Sequence, residues 1–376
     1  MVVFGTRPEA IKMAPLCHSL LEQKDIKTII CVTAQHREML DQVLNIFEIT
    51  PDIDLNIMNK GQDLFDVTSS ILLKMRDILK DEKPDIVLVH GDTSTTFTTS
   101  LACFYMGIKV GHVEAGLRTH NINAPFPEEY NRQSAGLIAD YHFAPTELSR
   151  QNLISEGKDN KNILVTGNTV IDALQLVLKK IEGDEARSNS IISNLNNALN
   201  FDWQNSKFVL ITGHRRENFG QGFLNICEAI KDLAVSNSST HFIYPVHLNP
   251  HVREPVNQIL SGLANVWLIE PLGYEDFVYL LKQSYIVLTD SGGIQEEAPS
   301  LGKPVLVMRD VTERPEAVKA GTVKLVGTSK KSIISNIDLL INNETLYKKM
   351  SQAHNPYGDG KACNRIVKYI RRSLND

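Results

Sequence analysis

Short β-branched apolar runs recur along the whole chain, each separated from the next by a stretch of helical periodicity, and this alternation is what most restricts the fold. Val2–Phe4, Lys27–Val32, Ile86–His90, Lys109–Val113, Tyr141–Phe143 and Ile163–Val165 read as one series of strands. Phe208–Thr212, Phe242–Val246, Val266–Ile269, Tyr285–Thr289, Val305–Met308 and Val323–Val326 read as a second. Pro8–Leu21, Leu64–Leu79, Gly222–Leu233 and Phe277–Leu281 are helical stretches between them. Strands this short and this continuously apolar are buried on both faces, and helices between successive strands make the sheets parallel. The expected class is α/β with two doubly wound domains, residues 1–168 and 169–358, and a crossover near Gly167–Ala173. The last helix, Gly360–Ser373 within 359–376, has no strand after it and is expected to pack back on the first domain. Lys179–Asn205 is polar, rich in Asn and Ser, and only weakly periodic.

A chain of 376 residues suits two domains of ordinary size. Its 42% hydrophobic and 22% charged content is that of a soluble globular protein. The net charge of −5 leaves no electrostatic footprint for nucleic acid, and Lys368-Tyr369-Ile370-Arg371-Arg372 reads as a solvated helix face. Five cysteines are scattered without a CxxC pair, as free thiols in a reducing compartment would be. Neither a basic-then-apolar leader nor a run of about 18 apolar residues is present, so the expectation is a cytoplasmic protein with no membrane partner.

In open parallel sheets ligands bind beyond the carboxyl ends of the strands, and that rule sorts the polar residues. Val2–Phe4 runs into Gly5-Thr6-Arg7-Pro8, with Lys12 one turn inside the helix that Pro8 can open. Ile86–His90 runs into Gly91-Asp92-Thr93, and Lys109–Val113 into Glu114-Ala115-Gly116. Phe208–Thr212 runs into Gly213-His214-Arg215-Arg216-Glu217. Tyr285–Thr289 runs into Asp290-Ser291-Gly292-Gly293, where glycine lets the backbone approach a ligand and the following helix N-terminus attracts an anion. Glu296 and Glu297, one turn in, could reach sugar hydroxyls. Taken singly, each has a structural alternative: Asp92 could cap a helix, and Glu296-Glu297 could be a solvated face. Several at corresponding strand ends favour a crevice.

Other motifs fail on their own chemistry. Gly302-Lys303 lacks the glycine five positions earlier that a P-loop needs. Gly358-Asp359-Gly360 lacks the third small residue and the preceding strand of a dinucleotide fingerprint. His247 and His251 are separated by Asn249-Pro250 with no acid between them, so no metal site is expected.

"FGTRPEAIKMAPL", "HGDTSTTF", "GHVEAGLRT", "PFPEEYNRQ", "TGHRREN", "DSGGIQEEAPSLGKPVLVMRDVTERPEA" and "NPYGDG" together resemble the bacterial non-hydrolysing UDP-N-acetylglucosamine 2-epimerases. The resemblance spans essentially the whole chain in order. It implies a GT-B fold, two Rossmann-like domains with a cleft between them, and UDP held mainly by the second. It places Arg7, Lys12, Asp92, Glu114, His214, Phe277, Ser291, Gly292, Gly293, Glu297 and Arg314 at the substrate. Phe277 would lie near the uracil, Ser291 to Gly293 at the diphosphate and Glu297 at the ribose. Asp92, Glu114 and Glu128 resemble the carboxylates of proton transfer, with Arg132 and His214 beside them. Glu128 and Arg132 stand four apart and could equally be a helix ion pair worth ~0.3–0.5 kcal/mol. Many members bind a second UDP-N-acetylglucosamine as activator. Of that site Gln35, Glu128, Arg215 and His247 have counterparts here, whereas Glu38 and Gly61 stand where the family has glutamine and arginine. A homodimer and a supply of N-acetylmannosamine for surface polysaccharide are further implications, with no cofactor.

C2 of an N-acetylhexosamine is not alpha to a carbonyl, so its proton cannot simply be removed and returned. Loss of the anomeric diphosphate to give the C1=C2 alkene, 2-acetamidoglucal, needs a carboxylate at C2 and cations for departing UDP, which these residues would supply. Transient oxidation would need a nicotinamide site, and none is legible. The competing readings are a hydrolysing epimerase, a GT-B glycosyltransferase and a nucleotide-sugar-binding regulator.

Overall fold

The computed structural model describes residues 1–34, 37–59 and 61–375, and these divide into two compact units, Met1–Leu176 with Tyr357–Asp376, and Val177–Pro356. The first contains β1 (Val2–Phe4), β2 (Ile30–Val32), β3 (Ile53–Asp54), β4 (Ile86–His90), β5 (Lys109–Val113), β6 (Tyr141–Ala144) and β7 (Ile163–Val165). They form one parallel sheet in the order β3-β2-β1-β4-β5-β6-β7. The second contains β8 (Phe208–Thr212), β9 (His241–Pro245), β10 (Val266–Ile269), β11 (Ile286–Thr289), β12 (Val305–Val307) and β13 (Val323–Leu325), in the parallel order β10-β9-β8-β11-β12-β13. Each unit has its own apolar core, around Val3, Ile71, Val87 and Val110 in the first and around Ile211, Phe223, Phe242 and Leu288 in the second.

The strand order reverses between β1 and β4 in one unit and between β8 and β11 in the other. At such a point neighbouring crossovers leave the sheet on opposite faces, and their loops part to open a crevice at the strands' carboxyl ends. The loops carrying Arg7 and Asp92 flank the first switch point. Those carrying His214 and Ser291 flank the second.

Several elements depart from the sequence reading. β3 is two residues long and half exposed, too short to leave a periodicity signal. Lys179–Asn205 falls on the end of helix Thr169–Gly183 and on helix Glu185–Ala198. The latter is capped by Asp184 and anchored by buried Ile191 and Leu195, against helix Tyr274–Gln283. Two apolar anchors one turn apart suffice there, and the intervening Asn and Ser dilute the pattern. Helix Ser94–Met106 is capped by Thr93 and not by Asp92, whose carboxylate is engaged elsewhere.

The last helix, Ala362–Asn375, lies against Arg7–Leu21, with Tyr369 edge-on to Tyr141 at 5.6 Å and Phe143 at 5.7 Å. Asp172 accepts from its first amides, Ala362 N at 3.2 Å and Cys363 N at 2.9 Å. All five cysteines are buried and unpaired, and burial pushes the thiols of Cys17, Cys31, Cys103 and Cys227 up to about 12. Among the described residues no helix is long and apolar enough to cross a membrane.

Candidate active site

In the first unit the site begins at Gly5, where a side chain could not fit. A Cβ there would stand 1.9 Å from Thr33 Oγ1 and 2.6 Å from Thr95 Oγ1. The chain then enters helix Arg7–Leu21 through a reciprocal cap: Thr6 Oγ accepts from Glu9 N, and Glu9 Oε2 accepts from Thr6 N at 2.8 Å and Gly5 N at 3.0 Å. Glu9 Oε1 meanwhile accepts from the hydroxyls of Thr93 at 2.6 Å and Thr96 at 3.4 Å. One carboxylate, 2% exposed, therefore ties the Arg7 turn to the Asp92–Thr93 turn. Burial pushes its pKa up, and hydrogen bonds from Thr93, Thr6 and Gly5 pull it back down.

Lys12, one turn inside the helix, donates to Glu114 Oε2 at 2.5 Å. Glu114 holds a left-handed backbone, φ 62°, which is unfavourable for a residue with a Cβ and recurs at functional positions. Asn168 Nδ2 donates to the same Oε2 at 2.7 Å, and His90 Nε2 lies 3.8 Å from it. Burial holds His90 down at about 3, so at neutral pH it is an uncharged neighbour.

Asp92 is ion-paired with Arg132 Nη2, and Asn131 Nδ2 donates to its carbonyl at 2.9 Å. Enclosure by its loop pushes the Asp92 carboxyl upward, Arg132 opposes this, and nearby Glu114 adds to the rise. Arg132 also reaches buried Glu129 at 3.4 Å. The helix ion pair considered for Glu128 and Arg132 is thus replaced: Arg132 turns to Asp92 and Glu129, and Glu128 stays half-buried in the first turn of Glu128–Ile138. Asp92, Glu114, Lys12 and Arg132 are brought together.

In the second unit Asp290, at the end of β11, organises the turn after β8. Its Oδ2 accepts from His214 N at 2.9 Å, Arg215 N at 2.8 Å and Asn218 Nδ2 at 3.3 Å. The His214 ring stacks on His247 with centroids 5.0 Å apart and planes at 8°. Burial lowers the His214 pKa, Asp290 raises it, and His247 and Arg215 lower it again.

Ser291 is the N-cap of helix Gly292–Ser300, and its hydroxyl makes no capping bond. A Cβ at Gly292 would lie 2.5 Å from Arg314 Nη1, so a side chain there would have to displace the guanidinium. Arg314 donates from Nε to Glu296 Oε1 at 2.6 Å and from Nη1 to Glu313 Oε1 at 2.7 Å. Burial would raise Glu313, but Arg314, Arg309 and Arg215 together hold it at about 2. The two glutamates separate in role: Glu296 turns inward to Arg314, whereas Glu297 Oε2 faces Gly293 and its Oε1 accepts from Tyr274 OH at 3.2 Å. Phe277 is half-buried on the same helix as Tyr274. Of the candidate activator residues, Arg215 and His247 flank His214, while Gln35 lies outside the described residues.

Sequence reasoning missed Glu9, Asn168, Asp290 and Glu313. Thr6-x-x-Glu9 is a legible capping box, and Asp290 and Asn168 follow strands, so the strand-end rule reaches them. Glu313 stands four after Arg309 and one before Arg314, but its third arginine, Arg215, is brought in by the fold and leaves no local signal.

A sequence profile described as UDP-N-acetylglucosamine 2-epimerase matches residues 18–371. A Campylobacter jejuni protein named UDP-N-acetylglucosamine 2-epimerase is 56% identical over 376 residues, covering 100% of this chain and 98% of the relative. The crystal structure of the Neisseria meningitidis UDP-GlcNAc 2-epimerase bound to UDP-GlcNAc superposes with a TM-score of 0.90 at 53% identity, over 99% of each chain. A Staphylococcus aureus MnaA–UDP co-structure superposes with a TM-score of 0.87 at 50% identity, over 100% of this chain and 96% of that one. With a profile and full-length relatives in agreement, and a GT-B-like pair of Rossmann-type halves beneath them, the chain belongs to the UDP-N-acetylglucosamine 2-epimerase family.

Proposed function

We propose that this protein interconverts UDP-N-acetylglucosamine and UDP-N-acetylmannosamine by anti elimination of UDP and its re-addition. The observation that carries the reading is the pair of enclosed carboxylates, Asp92 and Glu114, at the ends of adjacent strands, each held by its own cation. One carboxylate removes the C2 proton while the C1–O bond breaks and UDP leaves with the electron pair. The intermediate is 2-acetamidoglucal. A proton then returns to C2 on the opposite face as UDP re-adds to C1. Lys12 and Asn168 on Glu114, and Arg132 on Asp92, keep the two carboxylates in place. Glu128 is the third candidate for proton transfer.

UDP engages the second unit in this reading. The helix N-terminus at Gly292, the Ser291 hydroxyl and the charges of Arg314 and His214 meet the diphosphate. Glu297 takes the ribose and Phe277 lies by the uracil. Conversion followed by NMR in deuterium oxide tests the mechanism. The product should carry deuterium at C2, free UDP should not accumulate, and added NAD should change nothing. Full retention of protium would favour a hydride route, and accumulation of free N-acetylmannosamine with UDP would mark a hydrolysing enzyme.

The functional unit in this proposal is a homodimer of cytoplasmic enzyme. Packed helices Leu64–Glu82, Ser94–Met106 and Glu128–Ile138 expose Phe65, Leu73, Phe104, Tyr105 and Leu137, all between 55% and 83% accessible. Apolar exposure on that scale across adjacent helices suits a second copy.

A further inference from the structure

We propose that Asp290 is a positioning residue that, once the diphosphate is bound, holds His214 as an imidazolium with its Nδ1–H directed inward. The proposal rests on the reading that places His214 at the diphosphate. Asp290 is fully buried, and its two oxygens are treated differently by the fold. Oδ2 accepts the three donors that shape the 214–218 turn. Oδ1 is buried and has no hydrogen-bond partner among the described residues. It lies 3.9 Å from His214 Nδ1. A buried carboxylate oxygen left without a donor is unfavourable, and the neighbouring ring can supply one after a small rotation.

The other groups facing His214 define when that happens. His247 lies flat against it, and the Asn249 amide donates to His247 Nδ1 at 3.1 Å. Arg215, itself 4.0 Å from Glu313, disfavours a second positive charge. Without an anion the ring is thus balanced toward neutrality. A diphosphate adds negative charge on the solvent side of a ring that is 47% exposed. The imidazole then takes up a proton, Nδ1–H bonds Asp290 Oδ1, and Nε2–H faces the phosphate. As the C1–O bond breaks, the electron pair passes to the phosphate oxygen and Nε2–H donates to it. On re-addition that hydrogen bond is released, with no net proton consumed. The device resembles the buried acid that fixes the tautomer of a catalytic histidine elsewhere.

The test is a titration of the full-length protein carrying ¹³C,¹⁵N-labelled histidine, with the His214 signals identified by their loss in His214→Gln. In the wild type, saturating UDP should raise the His214 pKa, and its Nδ1 should be protonated in the complex. In Asp290→Asn the side-chain oxygen can still accept the three turn donors, while an NH₂ group replaces Oδ1. The UDP-bound pKa of His214 should then fall by about one pH unit or more. Turnover should fall roughly 10–100-fold in kcat with KM little changed. An equal UDP-induced rise in both proteins overturns the proposal and leaves His214 at the diphosphate. A wild-type His214 that ignores UDP removes His214 from the diphosphate, and the dyad with it. Should Asp290→Asn fail to fold, the wild-type ¹⁵N shifts decide alone: an unprotonated Nδ1 in the UDP complex overturns the proposal.

Discussion

Asp92 and Glu114 carry the same functional group in unlike settings. Asp92 has an arginine and a side chain 25% exposed, while Glu114 has a lysine, an amide and a left-handed backbone that fixes its direction. Asp92→Asn and Glu114→Gln should each lower turnover by ~10²–10⁴, the range of a general acid or base. UDP affinity measured by calorimetry should survive both changes, because the groups proposed for UDP lie mostly on other residues. Full activity in both variants would refute the proton-transfer assignment. Arg314→Ala should weaken UDP binding by roughly 1.5–3 kcal/mol, the scale of a charge-assisted hydrogen bond. The same change leaves buried Glu296 without its cation, so a lower unfolding midpoint should accompany the loss of affinity. Unaltered affinity would remove Arg314 from the site.

Two elements owe their conformation to a single acid. Glu9 satisfies two backbone amides and two threonine hydroxyls where helix Arg7–Leu21 begins, so Glu9→Ala orphans several buried donors at once. Its cost by chemical denaturation should be at least ~1–3 kcal/mol, the penalty for one such group, and Glu9→Gln should recover most of it. Glu313 binds arginines from its own turn and from the 215 turn, with its side chain 26% exposed. Its folded pKa is depressed from 4.5 to about 2, so its contribution is present above pH 4.5 and is lost as pH falls toward 2. Glu313→Gln should flatten that part of the stability–pH curve by up to ~3 kcal/mol relative to wild type. Parallel curves for the two proteins would show that Glu313 is not the titrating group. The Glu9 cap was legible in Thr6-x-x-Glu9, because a helix start is a local event. The Glu313 cluster was legible only in part: Arg309 and Arg314 stand four before and one after it, whereas Arg215 reaches it only once β8 and β12 lie in one sheet.

At the scale of the molecule, two sheets of like order each place a switch point beneath the residues proposed for catalysis and binding. The exposed apolar faces of helices Ser94–Met106 and Glu128–Ile138 belong to the first unit alone. Light scattering should give twice the chain mass of 42.1 kDa, and Tyr105→Asp with Leu137→Asp should reduce it to that mass. A wild-type monomer would set the dimer aside.

The sequence by itself determined the class of fold and the strand ends at which chemistry could occur. Continuous apolar runs and helical periods report burial and hydrogen bonding within a few residues of themselves, and Gly, Pro and Thr mark where those runs stop. Tertiary structure alone decided the partners. Nothing near Arg132 in the chain foretells that it will leave Glu128, one turn away, for Asp92 on another strand end. Glu114 meets Lys12 and Asn168, and Asp290 meets the 214–218 turn, across sequence separations of 54 residues or more. Pairing at that range depends on which strands become neighbours, and strand order is a property of the packed sheet.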